Sequence, residues 1–365
     1  MVHAGLKDRW TCAFANDIDP MKCAAYADNW SDKWLIQGDI AKVDFTPLRQ
    51  PIDMYWASSP CQDFSLAGRG RGLAGARSGV FEEWVRLIGD AVSEGFAPRV
   101  VVLENVVGLL ARNGGADFSS VLRALCDLGY VVGGLEIDAA GFLPQSRPRL
   151  FVVGVRKDVD ISGLTTDAAS GPFHTSKIQK FVNRLPADVR ANWVWWHHTP
   201  ANPNTMSLEQ IVDTKPDTRW LNNDQLSYLL SMMSTTSMQK VSAARAAGGV
   251  QIGMLYKRGR PDENGVVRQR AEVRFDGLAG CLRTPGGGSS RQTILFVKGN
   301  STKARLLSTK EVTLLMGLDA QYRMPARYNQ AYHVAGDGVA VPIVRYLDEQ
   351  LFQPIMSCAA KRKAA

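Results

Sequence analysis

The sequence lacks the patterns that mark membrane and secreted proteins. No apolar run approaches the roughly 20 residues of a membrane-spanning helix, and the opening MVHAGLKDRW is no signal peptide. Its six cysteines stand at positions 12, 23, 61, 126, 281 and 358, never as a CxxC pair. That spacing argues against a zinc framework or a disulfide scaffold, so each cysteine is judged alone, with a small buried hydrophobe as its default. No internal repeat is visible. These absences lead to the expectation of a cytoplasmic protein without a membrane or metal partner.

What is present is ordinary in bulk and specific in detail. The 365 residues are 45% hydrophobic and 21% charged, enough for two domains or one with a large insertion. Lys and Arg number 43 against 35 Asp and Glu, a net charge of +8. That surplus suits a polyanionic partner, although many proteins of this charge never meet nucleic acid.

Short apolar runs alternate with helical patterns over the first 156 residues, as in a βα-type sheet. The runs are Thr11 to Asn16, Trp34 to Gln37, Ile52 to Ala57, Arg99 to Leu103, Val131 to Ile137 and Leu150 to Val155. Asp19-Pro20 pairs an N-cap with a proline at N1 and opens a helix through Trp30. Phe81, Trp84, Val85 and Ile88 recur at helical spacing, and another helix is expected from Phe118 to Leu128. The last two runs have no helix between them, which predicts an antiparallel pair at one edge. From about 157 to 280 periodicity weakens; the cluster Trp193 to His198 reads more readily as core than as a stacking platform. Gln251 to Phe275 reads as a hairpin around Asp262-Glu263-Asn264-Gly265. Arg283-Thr284-Pro285-Gly286-Gly287-Gly288 marks a rigid bend; helices are expected over Ser308 to Met316 and Val339 to Phe352, then a disordered basic end at 361–365.

Ligands of open α/β sheets bind beyond the carboxyl ends of the strands. Four such ends carry polar residues: Asp17, Asp39 in Gly38-Asp39-Ile40, Ser58-Ser59-Pro60-Cys61-Gln62, and Glu104-Asn105-Val106. Asp17 could hold ribose hydroxyls and Asp39 an adenine amino group, but either acid alone could equally be a helix cap or a solvated charge. Cys61 precedes a loop rich in glycine and arginine, where Arg69, Arg71 and Arg77 favour the reactive thiolate. A plain flexible surface loop is the alternative.

The motifs Ser-Ser-Pro-Cys-Gln-Asp-Phe-Ser (58–65), Glu-Asn-Val (104–106) and Gln-Ser-Arg-Pro-Arg (145–149) occur in this order. Together they resemble the signature of DNA cytosine-5 methyltransferases. Asn16-Asp17-Ile18-Asp19 and Gly38-Asp39-Ile40 are similar to that family's cofactor motifs, and Arg283-Thr284-Pro285 and Gly336-Asp337-Gly338-Val339 to its last two. The resemblance spans the chain apart from about 160 to 270, the family's variable region.

It implies an α/β fold: a Rossmann-like class I methyltransferase sheet with a second, smaller target-recognition domain. The expected divisions are 1–160 catalytic, 161–300 target recognition and 301–365 packing back on the first. It further implies S-adenosylmethionine as cofactor, held by Asp17, Ile18, Asp39, Ile40, Pro60, Asp337, Gly338 and Val339. Cys61 would attack C6 of a cytosine flipped out of double-stranded DNA, which makes C5 nucleophilic. Glu104 would serve N3, while Arg147 and Arg149 would hold O2 and orient Glu104. Gln62, Ser65, Arg69, Arg71 and Arg77 are expected to face DNA. So are Lys257, Arg258, Arg260, Arg268 and Arg270 of the hairpin, whose alternative is a solvated charged face.

Two departures stand out. The family begins with a strand and a Phe-x-Gly-x-Gly turn that this sequence lacks, and Met1 to Leu6 read as the stretch just after it. The strands ending at Asp17 and near Ser58 are expected to flank the missing position, and a second chain or an upstream segment to supply it. Asp337 stands where the family has Asn, and when ionised it accepts but does not donate. Alternatives are a non-catalytic DNA-binding homologue and an RNA methyltransferase with the same chemistry.

Overall fold

The computed structural model describes residues 1–59, 79–200, 206–261, 265–284 and 290–363. The chain begins with α1 (Val2–Leu6), β1 (Ala15–Asp17), α2 (Pro20–Trp30) and β2 (Leu35–Gln37). Asp19 caps α2 by accepting from the Met21 N–H at 2.8 Å, and Pro20 fills the first turn, where its missing N–H costs nothing. Then come β3 (Met54–Ala57), α3 (Val80–Ser93), β4 (Val100–Val106), α4 (Ala116–Asp127), β5 (Tyr130–Asp138) and β6 (Pro148–Arg156).

Four strands form a sheet in the order β3–β4–β6–β5. β3 runs parallel to β4, and β6 is antiparallel to both of its neighbours, so the expected antiparallel edge is present. β4 is apolar from Val100 to Leu103 because both its faces are covered. Val101 and Leu103 pack with Phe81, Ile88, Phe118 and Leu122 of α3 and α4. Val100 and Val102 point the other way, against Ile343, Val344 and Leu347.

β1 and β2 form a separate parallel pair. Among the described residues β1 pairs only with β2, and β3 only with β4. A cavity of about 1580 Å³ separates the two, with all of β1 and β3 in its walls. The strands ending at Asp17 and near Ser58 thus flank a gap, as expected. Bare sheet edges inside a core leave backbone groups without partners.

β7 (Thr165–Thr166), α5 (Ser176–Val182), α6 (Ala187–Arg190) and β8 (Trp195–Trp196) belong to the first sheet's layers. Ile178, Val182 and Val189 pack beside Phe118, while Phe173 and fully buried Trp196 join the opposite core. The tryptophan cluster is therefore core. After α7 (Leu208–Ile211), α8 (Asn223–Ser231) and α9 (Thr235–Ala246) comes an antiparallel sheet. Its strands are β9 (Gln251–Pro261), β10 (Val267–Arg274), β11 (Thr293–Lys298) and β12 (Ser301–Leu306), in the order β10–β9–β11–β12. β11 turns directly into β12, with Lys298 facing Ser301. Alternation sends Met254 of β9 toward the C-terminal helices and Leu255 toward α8 and α9.

α10 (Thr309–Leu315), α11 (Tyr328–Asp337), α12 (Val341–Leu347) and α13 (Gln353–Lys363) return the chain to the first sheet. The last helix continues to Lys363, past the point where the sequence reads as an irregular end. Among the described residues no helix is long and apolar enough to cross a membrane.

Candidate active site

Parallel β3 and β4 bring their carboxyl ends to the same side of the cavity, where open α/β sheets bind ligands. Ser58 and Ser59 leave β3 there, and the Asn105 side-chain amide donates to the Ser59 carbonyl at 2.8 Å. That bond fixes the chain immediately before Pro60. Pro60, Cys61, Gln62, Ser65, Arg69, Arg71 and Arg77 lie outside the described residues.

Glu104 follows the apolar run of β4 and is 6% exposed. The antiparallel register sets Glu104 opposite Phe151 and Val106 opposite Arg149, so Glu104 and Arg149 are diagonal neighbours on one face. Arg149 Nε lies 3.1 Å from Glu104 Oε1. Burial pushes the Glu104 carboxyl above its ordinary value; Arg149, Arg147 and Ser58 pull against that rise without cancelling it. A carboxyl so placed can hold a proton for a neighbouring acceptor.

Arg147 is 1% exposed and serves a different set of groups. It donates to the carbonyls of Leu282 at 2.7 Å and Gly336 at 2.8 Å, and to that of Gly338. Its Nη1 is 3.4 Å from the Cys281 thiol. Burial, reinforced by Arg149, pushes its guanidinium down to about 10. Two positions earlier, fully buried Gln145 accepts from the Leu282 N–H at 3.2 Å and donates to the Leu315 carbonyl.

The turn after α11 closes the far side. Asp337 pairs with Lys22 of α2 at 2.8 Å and accepts from the Thr284 hydroxyl. Burial works to raise its carboxyl, yet these two bonds prevail and hold it below its ordinary value. An aspartate here has donors on both sides, so it needs no donor of its own. Asp17, Ile40, Glu104, Arg149, Asp337, Gly338 and Val339 all line the one cavity. Asp17 also accepts from the Asp19 N–H at 2.9 Å, and Asp39, outside the walls, caps a short turn through the Ala41 N–H at 3.0 Å. Ile18 is 67% exposed, on the surface.

The hairpin collects its charge on one face. Cross-strand neighbours are Arg260 with Arg268 and Arg258 with Arg270, while Lys257 faces Ala271. Like charges directly opposite repel, so four arginines on one face form an arrangement that an anion would relieve. Glu272 on the same face binds Arg260 at 2.9 Å and stands 3.9 Å from Arg258. The turn residues 262–264 and the bend residues 285–289 lie outside the described residues.

Sequence reasoning gave no role to Asn105, Gln145, Lys22 or Thr284. Asn105, Gln145 and Thr284 stand inside the recognised motifs, so their signal was present; Lys22 gains significance only through Asp337.

The architecture is that of an α/β methyltransferase. It superposes on Schizosaccharomyces pombe Dnmt2 methyltransferase (S. pombe) with a TM-score of 0.56 and 15% identity, over 97% of this chain and 95% of that one. A putative DNA modification methyltransferase encoded within an E. coli prophage gives 0.54 and 15%, over 96% and 95%. At these identities the likeness is one of fold. The model of the C-5 cytosine-specific DNA methylase family matches residues 2–353, and the chain belongs to this family. Similar relatives are type II methyltransferases. M.BsuFI of Bacillus subtilis is 26% identical over 348 residues, 94% of this chain and 68% of that protein. M.HhaI of Haemophilus parahaemolyticus is 22% identical, over 92% and 86%. M.Eco47II of Escherichia coli is 34% identical over 158 residues, 43% of this chain and only 36% of that protein.

Proposed function

We propose that the protein methylates C5 of cytosine in double-stranded DNA, with S-adenosylmethionine as the methyl donor. The observation that carries this reading is the buried Glu104–Arg149 pair beside the Ser59 carbonyl, which Asn105 holds two residues before Cys61. The relatives named as type II methyltransferases, and one named as an orphan methyltransferase of a Bacillus phage, support a place in a restriction-modification or orphan methylation system.

The cavity fits the cofactor chemically. Asp17 presents a carboxylate at a strand end for ribose hydroxyls, Ile40 an apolar wall, and the 337–339 segment a further stretch of the same cavity's wall. Ile18 and Asp39 flank that end from outside the walls. When bound, S-adenosylmethionine supplies an electrophilic methyl group. The protein's own residues prepare the base. The Cys61 thiolate adds to C6, forming a carbon–sulfur bond and making C5 electron-rich. Glu104 holds a proton at N3, so the ring does not accumulate negative charge. Arg149 fixes the Glu104 carboxyl with a planar fork that also suits O2. Loss of the C5 proton then breaks the carbon–sulfur bond and releases Cys61. This chemistry requires the base outside the stack. The arginine face of the hairpin, with Lys257, supplies phosphate contacts, and Gln62, Ser65, Arg69, Arg71 and Arg77 approach the DNA from the Cys61 loop.

The test is trapping on duplex DNA containing 5-fluorocytosine in the presence of S-adenosylmethionine. The fluorine replaces the proton that must leave, so a stable adduct at Cys61 is expected. Absence of any adduct, with binding intact, rejects the covalent mechanism.

The split sheet supports a second part to this reading: the β1–β3 gap takes one more strand, parallel to both, from another segment or chain. A cavity of about 1580 Å³ exceeds the roughly 300–1,000 Å³ usual for a ligand alone. Adding about 15 to 20 residues able to form a strand and a glycine turn should tighten cofactor binding and raise the melting temperature. Equal affinity and equal melting with and without that segment would show that the gap is complete as it stands.

A further inference from the structure

Residues 144–147 join parts of the molecule far apart in sequence. The Ser146 N–H donates to the Ala279 carbonyl at 2.9 Å, and the Ala279 N–H to the Pro144 carbonyl at 2.8 Å. The segment descending from the arginine hairpin is thereby laid alongside them. Gln145 takes the Leu282 N–H, and Arg147 takes the Leu282 carbonyl from the other side. The same guanidinium also binds the carbonyls of Gly336 and Gly338, on the turn proposed above as a cofactor wall. A Cβ on Gly336 would come within 2.6 Å of the Thr284 N, so the two segments touch without slack.

Among the described residues no carboxylate hydrogen-bonds Arg147; main-chain carbonyls and the Cys281 thiol take its bonds. A buried cation held by carbonyls of two segments fixes their separation, because releasing either strands a desolvated charge. The planar fork reaches both segments at once, which a single ammonium does not.

We propose that Arg147 is a positioning residue. It holds the 336–338 turn against the 281–284 segment and keeps both in register with Glu104–Arg149, so DNA reading and cofactor retention share one joint. The inference rests on the methyltransferase reading for what the cavity holds, but not for the joint itself.

The test compares Arg147→Lys and Arg147→Gln with the unaltered full chain. Amide hydrogen exchange should quicken at least about tenfold at 282–284 and 336–340 in both variants, while β4 and β6 keep their protection. The Kd for S-adenosylmethionine and the KM for duplex DNA should both rise at least about fivefold, and in Arg147→Lys, which keeps the charge, the alkaline limb of kcat should stay in place. Exchange that is unchanged at these segments, or raised uniformly along the chain, overturns the proposal. So does a cofactor Kd equal to that of the unaltered chain. Should the unaltered chain neither bind the cofactor nor methylate, the functional reading fails, and the exchange pattern still decides the joint. If both variants fail to fold, Thr284→Val removes the Thr284–Asp337 hydrogen bond, a second contact between the same two segments, and it must show the same two-segment pattern for the proposal to stand.

Discussion

Arginine does opposite work at the two ends of the candidate site. Arg147 and Arg149 are enclosed, each bound to named partners at fixed distances. Arg258, Arg260, Arg268 and Arg270 stand on an outer hairpin face, set against one another across two strands. In the first place a guanidinium defines geometry; in the second it contributes to a field. Shape should matter where the charge is buried, and charge alone where it is exposed.

Removing the nucleophile should separate the two ends most sharply. Cys61→Ala is expected to reduce methyl transfer to background and leave DNA affinity and its salt dependence intact. Substantial methylation by that variant would sink the mechanism.

Conservative replacement is the next sharpest comparison. Arg149→Lys keeps the charge but loses the fork, and kcat should fall by about a hundredfold or more. Arg260→Lys should change kcat and binding by less than about twofold. Comparable losses in the two variants would erase the distinction.

The pH profile gives a third expectation. Burial raises the Glu104 carboxyl, against the pull of Arg149. If the protonated acid is the working form, activity falls as pH rises through that raised value. Arg149→Gln removes the opposing cation, so the alkaline limb of its residual activity should move to higher pH. A limb moving downward would assign it to another group.

The smallest effect belongs to the outer face. Neutralising Arg258 and Arg260 together should weaken binding to all sequences alike and lower the salt slope by about one to two charges. Partial neutralisation by Glu272 keeps the change toward the lower end. An unchanged slope would move the phosphate contacts elsewhere.

How much was legible follows from the range of each interaction. The Asp19-Pro20 helix start, most of the strand runs and the hairpin are local patterns that the structure has, although the first run forms a strand only at Ala15–Asp17. The gap between β1 and β3 matches the expected flanking of the cavity by the strands ending at Asp17 and near Ser58. The packing of the chain after β6 was not legible. Residues 165–196 pack on the first sheet through Ile178, Val182 and Trp196, and β12 pairs backwards across position 300; neither depends on local composition.

By itself the sequence determined the motif order, the residue types available for chemistry and the strand ends that carry them, because these depend on neighbours along the chain. Only the tertiary structure decided which partner each polar group has. It set Arg149 on Glu104, turned Arg147 toward the carbonyls of Leu282, Gly336 and Gly338, and gave Asp337 both Lys22 and Thr284. The physical reason is burial. A desolvated charge must find partners from whatever the fold brings within about 3 Å, however far away these lie in sequence.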